Sequence, residues 1–390
     1  MTQRITALIH HPYTPPEGFA APQPGIFKAS TVIFPNVAAM RTRDWRYKAG
    51  YTYGLHGTPT TFLLEERLCA LEGGSQCVLV PSGLAALMNV NLALLKTGDE
   101  VLIPDNVYGP SKALAEGELA AFGITHRSYD PLDPTALAAA IGPKTRLVWL
   151  EAPGSVSMEF PDLAGLVAVC KAKGVATALD NTWGAGLAFC AFDHGIDISA
   201  HALTKYPSGG GDVLMGSVIT RDEALHLKIK LSHMRLGLGI GANDAEAVLR
   251  GLPSIALRYD AHDRAARVLA AWMGQRPEVA ALLHPAFAGS PGHDHWRAVC
   301  GDDGKAAGLF SVVLDPKFSQ TQVDKFCDGL RLFKLGYSWG GPISLVVPYD
   351  MPSMRHNWPH KGVLVRFSVG LEDVADLQAD LAQALAGMQA

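Results

Sequence analysis

From residue 60 to residue 219 the sequence alternates segments of helical periodicity with short apolar runs. Residues 60–71 have the amphipathic pattern of a helix that ends at Gly73 and Gly74. This repeated order predicts an α/β fold with a mostly parallel sheet and helices on its faces. Further helical patterns cover 84–95 and 162–173, and the strand candidates are 77–80, 101–103, 147–150, 175–179, 198–200 and 216–219.

The segments on either side of this α/β region have different patterns. Prolines break residues 1–58, which favours an irregular arm that contacts a neighbouring subunit; a flexible tail is the alternative. We therefore expect an α/β domain at 59–250 and a smaller C-terminal α+β domain at 251–390. The C-terminal patterns are helical periodicity over 242–274, strand candidates at 309–313, 344–347 and 363–369, and a final helix over 373–388.

Composition and charge narrow the classes of function. The chain has 33 basic and 37 acidic residues, so it carries no electrostatic footprint for a nucleic-acid partner. Its 6 cysteines form no Cys-x-x-Cys pair, which favours single buried thiols in a reducing compartment. The sequence has no signal-peptide core and no apolar run of the roughly 20 residues that span a membrane. We expect a cytoplasmic protein that acts on a small molecule.

Polar and reactive residues follow the strand candidates at their carboxyl ends, where open α/β sheets bind their ligands. The turn at Ser82 opens a helix whose first N–H groups form an anion site, although a purely structural turn has the same pattern. The residues at these strand ends are Ser82, Gly83, Tyr108, Glu151, Asp180, Asn181, Thr182, Thr204 and Lys205.

Asp180 and Lys205 have complementary chemistry. A carboxylate at a strand end can hold a protonated ring nitrogen, although helix capping is an equal alternative for Asp180 alone. A lone lysine is usually a solvated surface charge, but Lys205 follows apolar and small residues, and a desolvated lysine is a Schiff-base nucleophile. With a phosphate cradle at 82–84, the Thr204 hydroxyl and the Tyr108 ring, they predict a pyridoxal phosphate (PLP) site.

Several short segments together are highly specific for one family. In these segments the chain resembles the Cys/Met-metabolism enzymes of PLP fold type I, and the resemblance extends from about residue 26 to 388. The resemblance implies a mostly parallel large domain, a smaller α+β domain, PLP as cofactor and a homotetramer of two dimers with shared sites. The segments are 53–54 (Tyr-Gly), 57–60 (Gly-Thr-Pro-Thr), 71–74 (Leu-Glu-Gly-Gly), 81–83 (Pro-Ser-Gly), 151–155 (Glu-Ala-Pro-Gly-Ser), 180–183 (Asp-Asn-Thr-Trp), 204–206 (Thr-Lys-Tyr), 337–341 (Tyr-Ser-Trp-Gly-Gly) and 370–373 (Gly-Leu-Glu-Asp).

The resemblance also implies roles around the cofactor. Lys205 would form the covalent bond to PLP, Asp180 would pair with the ring nitrogen and Tyr108 would contact the ring. Tyr53 would reach into the site from a neighbouring subunit. The implied phosphate contacts are Gly83, Leu84 and Thr204.

For the substrate, the resemblance implies that Arg366 binds the α-carboxylate. The residues themselves favour this role, because a guanidinium in an apolar strand needs an anionic partner; a structural ion pair is the alternative. Ser338 and Trp339 would also contact the substrate, with Trp339 beside its distal arm.

The chain departs from the family pattern at two positions. Relatives commonly have a phosphate-contacting arginine where this chain has Leu55, and many have serine where it has Ala202. The phosphate therefore lacks one cation and one hydroxyl contact, unless other residues replace them. Arg43, Arg46 and Lys48 are close in sequence, without a basis for choosing among them.

The expected reaction is β-elimination of L-cystathionine to homocysteine, pyruvate and ammonia, by a carbon–sulfur lyase that also accepts cystine or cysteine conjugates. This expectation rests on segments 151–155 and 337–341, which look like the β-lyase forms of the family. The main alternatives are the γ-lyases and γ-synthases of the same family. A PLP-binding regulator is a further alternative without a DNA-reading motif in its favour.

Two other motifs suggest different cofactors. Residues 237–241 read Gly-Leu-Gly-Ile-Gly, but they do not lie between a strand and a helix of a βαβ unit, which disfavours a nicotinamide enzyme. Histidines at 10, 11, 293 and 295 have loop-like flanks and no third ligand, which disfavours a metal site.

Overall fold

The computed structural model describes residues 3–355 and 357–389, and it contains two β-sheets that follow each other along the chain. The large sheet has seven strands in the order β1-β7-β6-β5-β4-β2-β3. All of its strands run in one direction except β7, which is antiparallel to both neighbours. The strands are β1 (Gln76–Val80), β2 (Glu100–Pro104), β3 (Thr125–Tyr129), β4 (Thr145–Glu151), β5 (Ala176–Asp180), β6 (Ile198–Ala202) and β7 (Gly216–Thr220).

The second sheet has five strands in the order β10-β11-β12-β9-β8 and is antiparallel except for the β10–β11 pair. A mostly parallel sheet followed by a mostly antiparallel one agrees with the predicted α/β and α+β parts. The exact domain boundaries at residues 58 and 250 stay predictions. The strands are β8 (Val279–Leu283), β9 (Leu309–Leu314), β10 (Lys334–Leu335), β11 (Leu345–Tyr349) and β12 (Leu364–Ser368).

Helices cover both faces of the large sheet. Val101 and Ile103 belong to the apolar cluster on one face, whereas Leu102 between them belongs to the cluster on the other. Both faces are therefore buried, which agrees with the burial of all five residues of β2. The helices are α1 (Arg4–Ile9), α2 (Val37–Arg41), α3 (Pro59–Glu72), α4 (Gly83–Leu94), α5 (Gly109–Leu114), α6 (Pro134–Ala140), α7 (Leu163–Lys173), α8 (Glu223–Leu236), α9 (Ala242–Gly251), α10 (Ile255–Met273), α11 (His293–Cys300), α12 (Gln320–Gly329), α13 (Met351–Met354) and α14 (Val374–Gln389).

Clear start and stop residues explain why α3, α4 and α7 match the prediction. Thr58 caps α3 in a capping box before Pro59, and Gly73 ends it in the left-handed conformation with φ 80°. Gly174 ends α7 in the same way, with φ 66°. The predicted strands are confirmed to within two residues at either end.

The irregular character predicted for residues 1–58 is wrong at α1. Leu8 is buried and packs beside Leu64 and Leu68 of α3, so this part of the arm belongs to the core of its own chain. Further along the arm, Ile33 and Val37 are exposed. Contact between the arm and a neighbouring subunit stays a prediction.

The carboxyl edge of the large sheet faces the second sheet. Ser311 of β9 donates from its hydroxyl to the carbonyl of Val156, and Gly308 donates its N–H to the hydroxyl of Tyr206. These bonds hold the second sheet against the segments that follow β4 and β6. Among the described residues, no helix is long and apolar enough to cross a membrane.

Candidate active site

A cavity opens at the carboxyl edge of the large sheet. It lies where the segments after β1, β4, β5 and β6 meet, as expected for a ligand site in an open α/β sheet. The lining residues are Ser82, Gly83, Leu84, Tyr108, Glu151, Pro153, Ser155, Asp180, Thr182, Trp183, Ala202, Thr204, Lys205, Leu214 and Trp339.

Lys205 places an amine in this cavity. Its Nζ donates a hydrogen bond of 2.6 Å to Oγ of Ser338 and lies 4.4 Å from the ring centroid of Trp339. Burial lowers the pKa of Lys205 to about 8, and the Arg366 guanidinium adds to this effect. At neutral pH a larger fraction of this amine is therefore unprotonated than in a surface lysine.

Asp180 places a carboxylate on the same side of the sheet. Its Oδ1 accepts hydrogen bonds from the hydroxyl and the N–H of Thr182, at 2.5 and 3.1 Å. The Thr182 hydroxyl also accepts the N–H of Ala202 at 2.8 Å, which ties the ends of β5 and β6 together. Burial raises the pKa of Asp180, so a positively charged ligand group beside it would stabilise its ionised form.

The N-terminus of α4 lines the cavity with Gly83 and Leu84. Ser82 caps this helix by accepting the N–H of Ala85, and the first N–H groups of a helix have no intrahelical partner. A Cβ at Gly83 would stand 2.6 Å from Cβ of Ala202, so the close approach requires glycine. The hydroxyl of Thr204, which also lines the cavity, makes long hydrogen bonds to the backbone of Met215, at 3.3 and 3.4 Å.

Tyr108 precedes α5 and is 36% exposed, with its ring at the cavity. Its N–H donates a hydrogen bond of 2.8 Å to Oε2 of Glu151. Burial and the nearby carboxylates of Asp180 and Glu151 raise the pKa of the Tyr108 hydroxyl.

Arg366 lies beside the cavity on β12 and contacts two of its lining residues. The buried guanidinium donates from Nη1 to the carbonyl of Ser155 at 3.1 Å and lies 5.4 Å from the ring centroids of both Trp339 and Tyr349. No carboxylate of the described residues lies within the 4.0 Å of an ion pair with it. The alternative of a structural ion pair is therefore wrong within this chain.

Tyr53 and Leu55 do not line this cavity in their own chain. They line a separate groove with Gly239 and Ile240, and Tyr53 is 45% exposed. A contribution of Tyr53 to the site from a neighbouring subunit stays a prediction.

None of the basic residues near Leu55 in sequence lines the cavity. Arg43 donates a hydrogen bond to the carbonyl of Met40. Arg46 forms an ion pair with Asp44, and Lys48 forms one with Glu65, each at 2.9 Å. The structure of one chain therefore identifies no replacement for the missing arginine.

Three further residues line the cavity without a role predicted from sequence: Glu151, Thr182 and Trp183. Glu151 and Thr182 follow strand candidates, and that position is the signal that identifies them. Trp183 lies three residues after the end of β5, and its buried Nε1 has no hydrogen-bond partner. Its contact with the cavity depends on the turn after β5, which the sequence pattern does not fix.

The motifs for other cofactors occupy different structural contexts. Residues 237–241 join α8 to α9, so they lie between two helices, and the nicotinamide interpretation is wrong. Nδ1 of His293 donates a hydrogen bond of 2.8 Å to the carbonyl of Pro285. In the described ranges no group of three or more His, Cys, Asp or Glu could hold a metal ion, and the 6 cysteines are free.

The residues present fit PLP. The amine, the buried carboxylate and the helix N-terminus match the aldehyde, the ring nitrogen and the phosphate of that cofactor. The glycine at position 83 leaves room against Ala202 that a Cβ would fill. The chemistry of the donor set thus agrees with the predicted cofactor.

Known proteins resemble the chain over almost its whole length. A "Putative cystathionine beta-lyase" of Rhizobium johnstonii is 40% identical over 94% of this chain and 92% of its own. The "Cystathionine beta-lyase MetC" of Escherichia coli is 36% identical over 91% of both chains. An "L-methionine gamma-lyase" of Pseudomonas putida is also similar, at 32% identity over 97% of this chain and 96% of its own.

A solved structure and a family model agree with these relatives. The crystal structure of metB from Corynebacterium glutamicum superposes with a TM-score of 0.89 and 28% identity, over 99% of this chain and 98% of that one. The family model described as Cys/Met metabolism PLP-dependent enzyme matches residues 5–386. The chain therefore belongs to the Cys/Met metabolism PLP-dependent enzymes, whose cofactor is pyridoxal 5′-phosphate.

Proposed function

We propose that this enzyme is a carbon–sulfur lyase that converts L-cystathionine and water to homocysteine, pyruvate and ammonia by β-elimination. The observation that carries the proposal is the position of the Lys205 amine, in one cavity with Asp180 and next to Arg366. The printed names of the relatives at 36% and 40% identity support the choice of β over γ chemistry. Cystine and cysteine conjugates are further candidate substrates.

PLP, when bound, withdraws electrons from the substrate Cα, and the residues of the chain direct protons and charge around it. Nζ of Lys205 is the group that accepts the Cα proton and later donates a proton to the leaving sulfur. Its lowered pKa, about 8, suits both tasks near neutral pH. Asp180 holds a positive charge at the ring nitrogen.

The remaining residues bind and orient. Gly83, Leu84 and Thr204 would hold the phosphate through N–H and hydroxyl groups, and Tyr108 would contact the ring and help to keep water away from it. Arg366 would bind the substrate α-carboxylate in a bidentate manner. Two further substrate contacts are Ser338 and Trp339.

The site is proposed to be completed by a second subunit. Residues 1–58 would form the arm that carries Tyr53 to the neighbour, and four subunits would assemble as two dimers. Ile33, Val37 and Met40 are exposed apolar residues of this arm, and their burial would favour such contact. Light scattering measures the mass of the assembly. Tyr53→Phe and Lys205→Ala should each lose activity alone, and mixed dimers of the two variants should regain activity if each site uses residues of both subunits. A cytoplasmic location belongs to the same proposal.

Product identification tests the reaction. Incubation of the PLP-loaded enzyme with L-cystathionine is expected to yield pyruvate and homocysteine. 2-Oxobutyrate and cysteine would instead assign the enzyme to γ-elimination. Lys205→Ala is expected to reduce turnover by at least about 1,000-fold, whereas Lys317→Ala at an exposed position should have no effect.

A further inference from the structure

We propose that Glu151 is a positioning residue of this site, whose buried carboxylate fixes the backbone at Tyr108 and, through Ser155, the guanidinium of Arg366. The inference deepens the proposed function, because it concerns how the same cavity holds its cofactor and an amino-acid substrate. Glu151 acts through its neighbours rather than on the reacting atoms.

Each oxygen of Glu151 accepts one backbone hydrogen bond. Oε2 accepts the N–H of Tyr108 and Oε1 accepts the N–H of Ser155, both at 2.8 Å. Glu151 ends β4 and is buried, so water competes little with these bonds. One side chain therefore joins the segment before α5 to the segment after β4.

Ser155 connects this carboxylate to the proposed substrate site. Its N–H donates to Glu151, while its carbonyl accepts Nη1 of Arg366 at 3.1 Å. Both groups belong to one buried residue. A shift of the Ser155 backbone would therefore move the guanidinium as well.

Glu151 also stands next to Asp180. The two residues are register partners on β4 and β5, at the edge of the sheet that lines the cavity. Burial and the Asp180 charge raise the pKa of Glu151, while its two backbone hydrogen bonds favour the ionised form. Each oxygen of the Glu151 carboxyl group thus binds a backbone N–H at a position that borders a second acidic side chain.

A glutamine at this position cannot make the same contacts. Its amide has one oxygen for one of the two N–H groups, and its NH₂ would face the other donor. Either the Tyr108 backbone or the Ser155 backbone must then move. The two acceptor oxygens of Glu151 therefore explain why a carboxyl group is needed here. We expect its replacement by glutamine to weaken the binding of cofactor and substrate rather than proton transfer.

The test compares Glu151→Gln with a matched control, Glu100→Gln. Glu100 is a second buried carboxylate on the same sheet, at the amino end of β2, where it accepts hydrogen bonds from Arg127 and Thr145. Two quantities are measured: the affinity of the cofactor-free protein for PLP, from quenching of tryptophan fluorescence, and the dissociation constant of glycine from the PLP-loaded enzyme, from absorbance. Glycine has an α-carboxylate and no Cβ, so its binding does not depend on the elimination reaction.

We expect Glu151→Gln to raise the glycine dissociation constant at least tenfold and to weaken PLP binding at least fivefold, with Glu100→Gln within twofold of wild type in both. Values within twofold of wild type for Glu151→Gln, or an equal loss in Glu100→Gln, would overturn the proposal. If Glu151→Gln does not fold, Glu151→Asp takes its place, because its shorter side chain withdraws both acceptors; an unchanged glycine affinity would then overturn it. Absence of pyruvate from cystathionine in the wild type contradicts the proposed function alone.

Discussion

The amine of Lys205 donates a hydrogen bond of 2.6 Å to the hydroxyl of Ser338, and Ser338 itself has a φ of 129°. Non-glycine residues rarely adopt this backbone region, and holding one there costs about 1–3 kcal/mol. The loop between β10 and β11 thus brings a strained residue to the amine that follows β6. This relationship links the conformation of the segment at 337–341 to the position of the proposed catalytic group.

Ser338→Gly and Ser338→Ala separate the hydroxyl from the backbone. Both variants lack the hydroxyl that accepts the hydrogen bond from Lys205. We expect turnover to fall about tenfold in each, because the loss of one hydrogen bond to a charged group has roughly this effect. Glycine tolerates the positive φ, so Ser338→Gly should exceed Ser338→Ala in free energy of unfolding by about 1 kcal/mol. Urea denaturation measures the difference, and equal stability of the two variants would contradict the strain.

The pKa of Lys205 predicts a pH-dependent stability of the cofactor-free protein. Burial lowers this pKa from 10.5 to about 8, so between these pH values the unfolded chain binds more protons than the folded one. Stability due to this residue therefore rises with pH over that interval and is lowest below about pH 8, where the buried amine is charged. Lys205→Met should be more stable than wild type at pH 7, and denaturation curves should show the gap narrowing towards pH 10; a constant gap contradicts the shift.

Strong local signals made part of the architecture predictable from sequence. Capping residues and left-handed glycines such as Gly73 and Gly174 mark helix ends, and apolar runs mark strands that are buried on both faces. Because parallel strands bring their carboxyl ends to one edge, the sequence alone predicts that Asp180 and Lys205 lie close together.

Elements with weak or misleading patterns escaped prediction. β3 lies at the edge of the sheet, where Tyr129 is its one buried residue, so it lacks the apolar run of its neighbours. In α8, apolar residues alternate with polar ones as in a strand, and its buried side includes Lys230 and His233. The proposed role of Glu151 depends on two loops that meet only in the folded chain, and the proposed role of Tyr53 depends on a partner subunit.

Asp180→Asn is expected to reduce turnover about 100-fold while preserving the fold. Asparagine retains an oxygen for the Thr182 hydroxyl and N–H, but it lacks the charge that would hold a protonated ring nitrogen. Asp197→Asn is the matched control, because Asp197 accepts hydrogen bonds from Thr177 near the amino ends of β5 and β6. Steady-state pyruvate formation measures turnover, and equal losses in the two variants would indicate a structural role for Asp180.

Arg366→Lys is expected to raise the KM for the amino-acid substrate about 100-fold, with a smaller change in kcat. The planar guanidinium lies 5.4 Å from the ring centroids of Trp339 and Tyr349, and lysine offers neither its flat faces nor its paired donors. Arg267→Lys, in an ion pair with Asp263 on α10, should leave KM within twofold. The decisive comparison uses, as a competitive inhibitor, an analogue of cystathionine that lacks the α-carboxylate of its cysteine half. Because it lacks the α-carboxylate, its inhibition constant should be the same in wild type and Arg366→Lys, whereas a parallel loss would show that Arg366 shapes the cavity without binding a carboxylate.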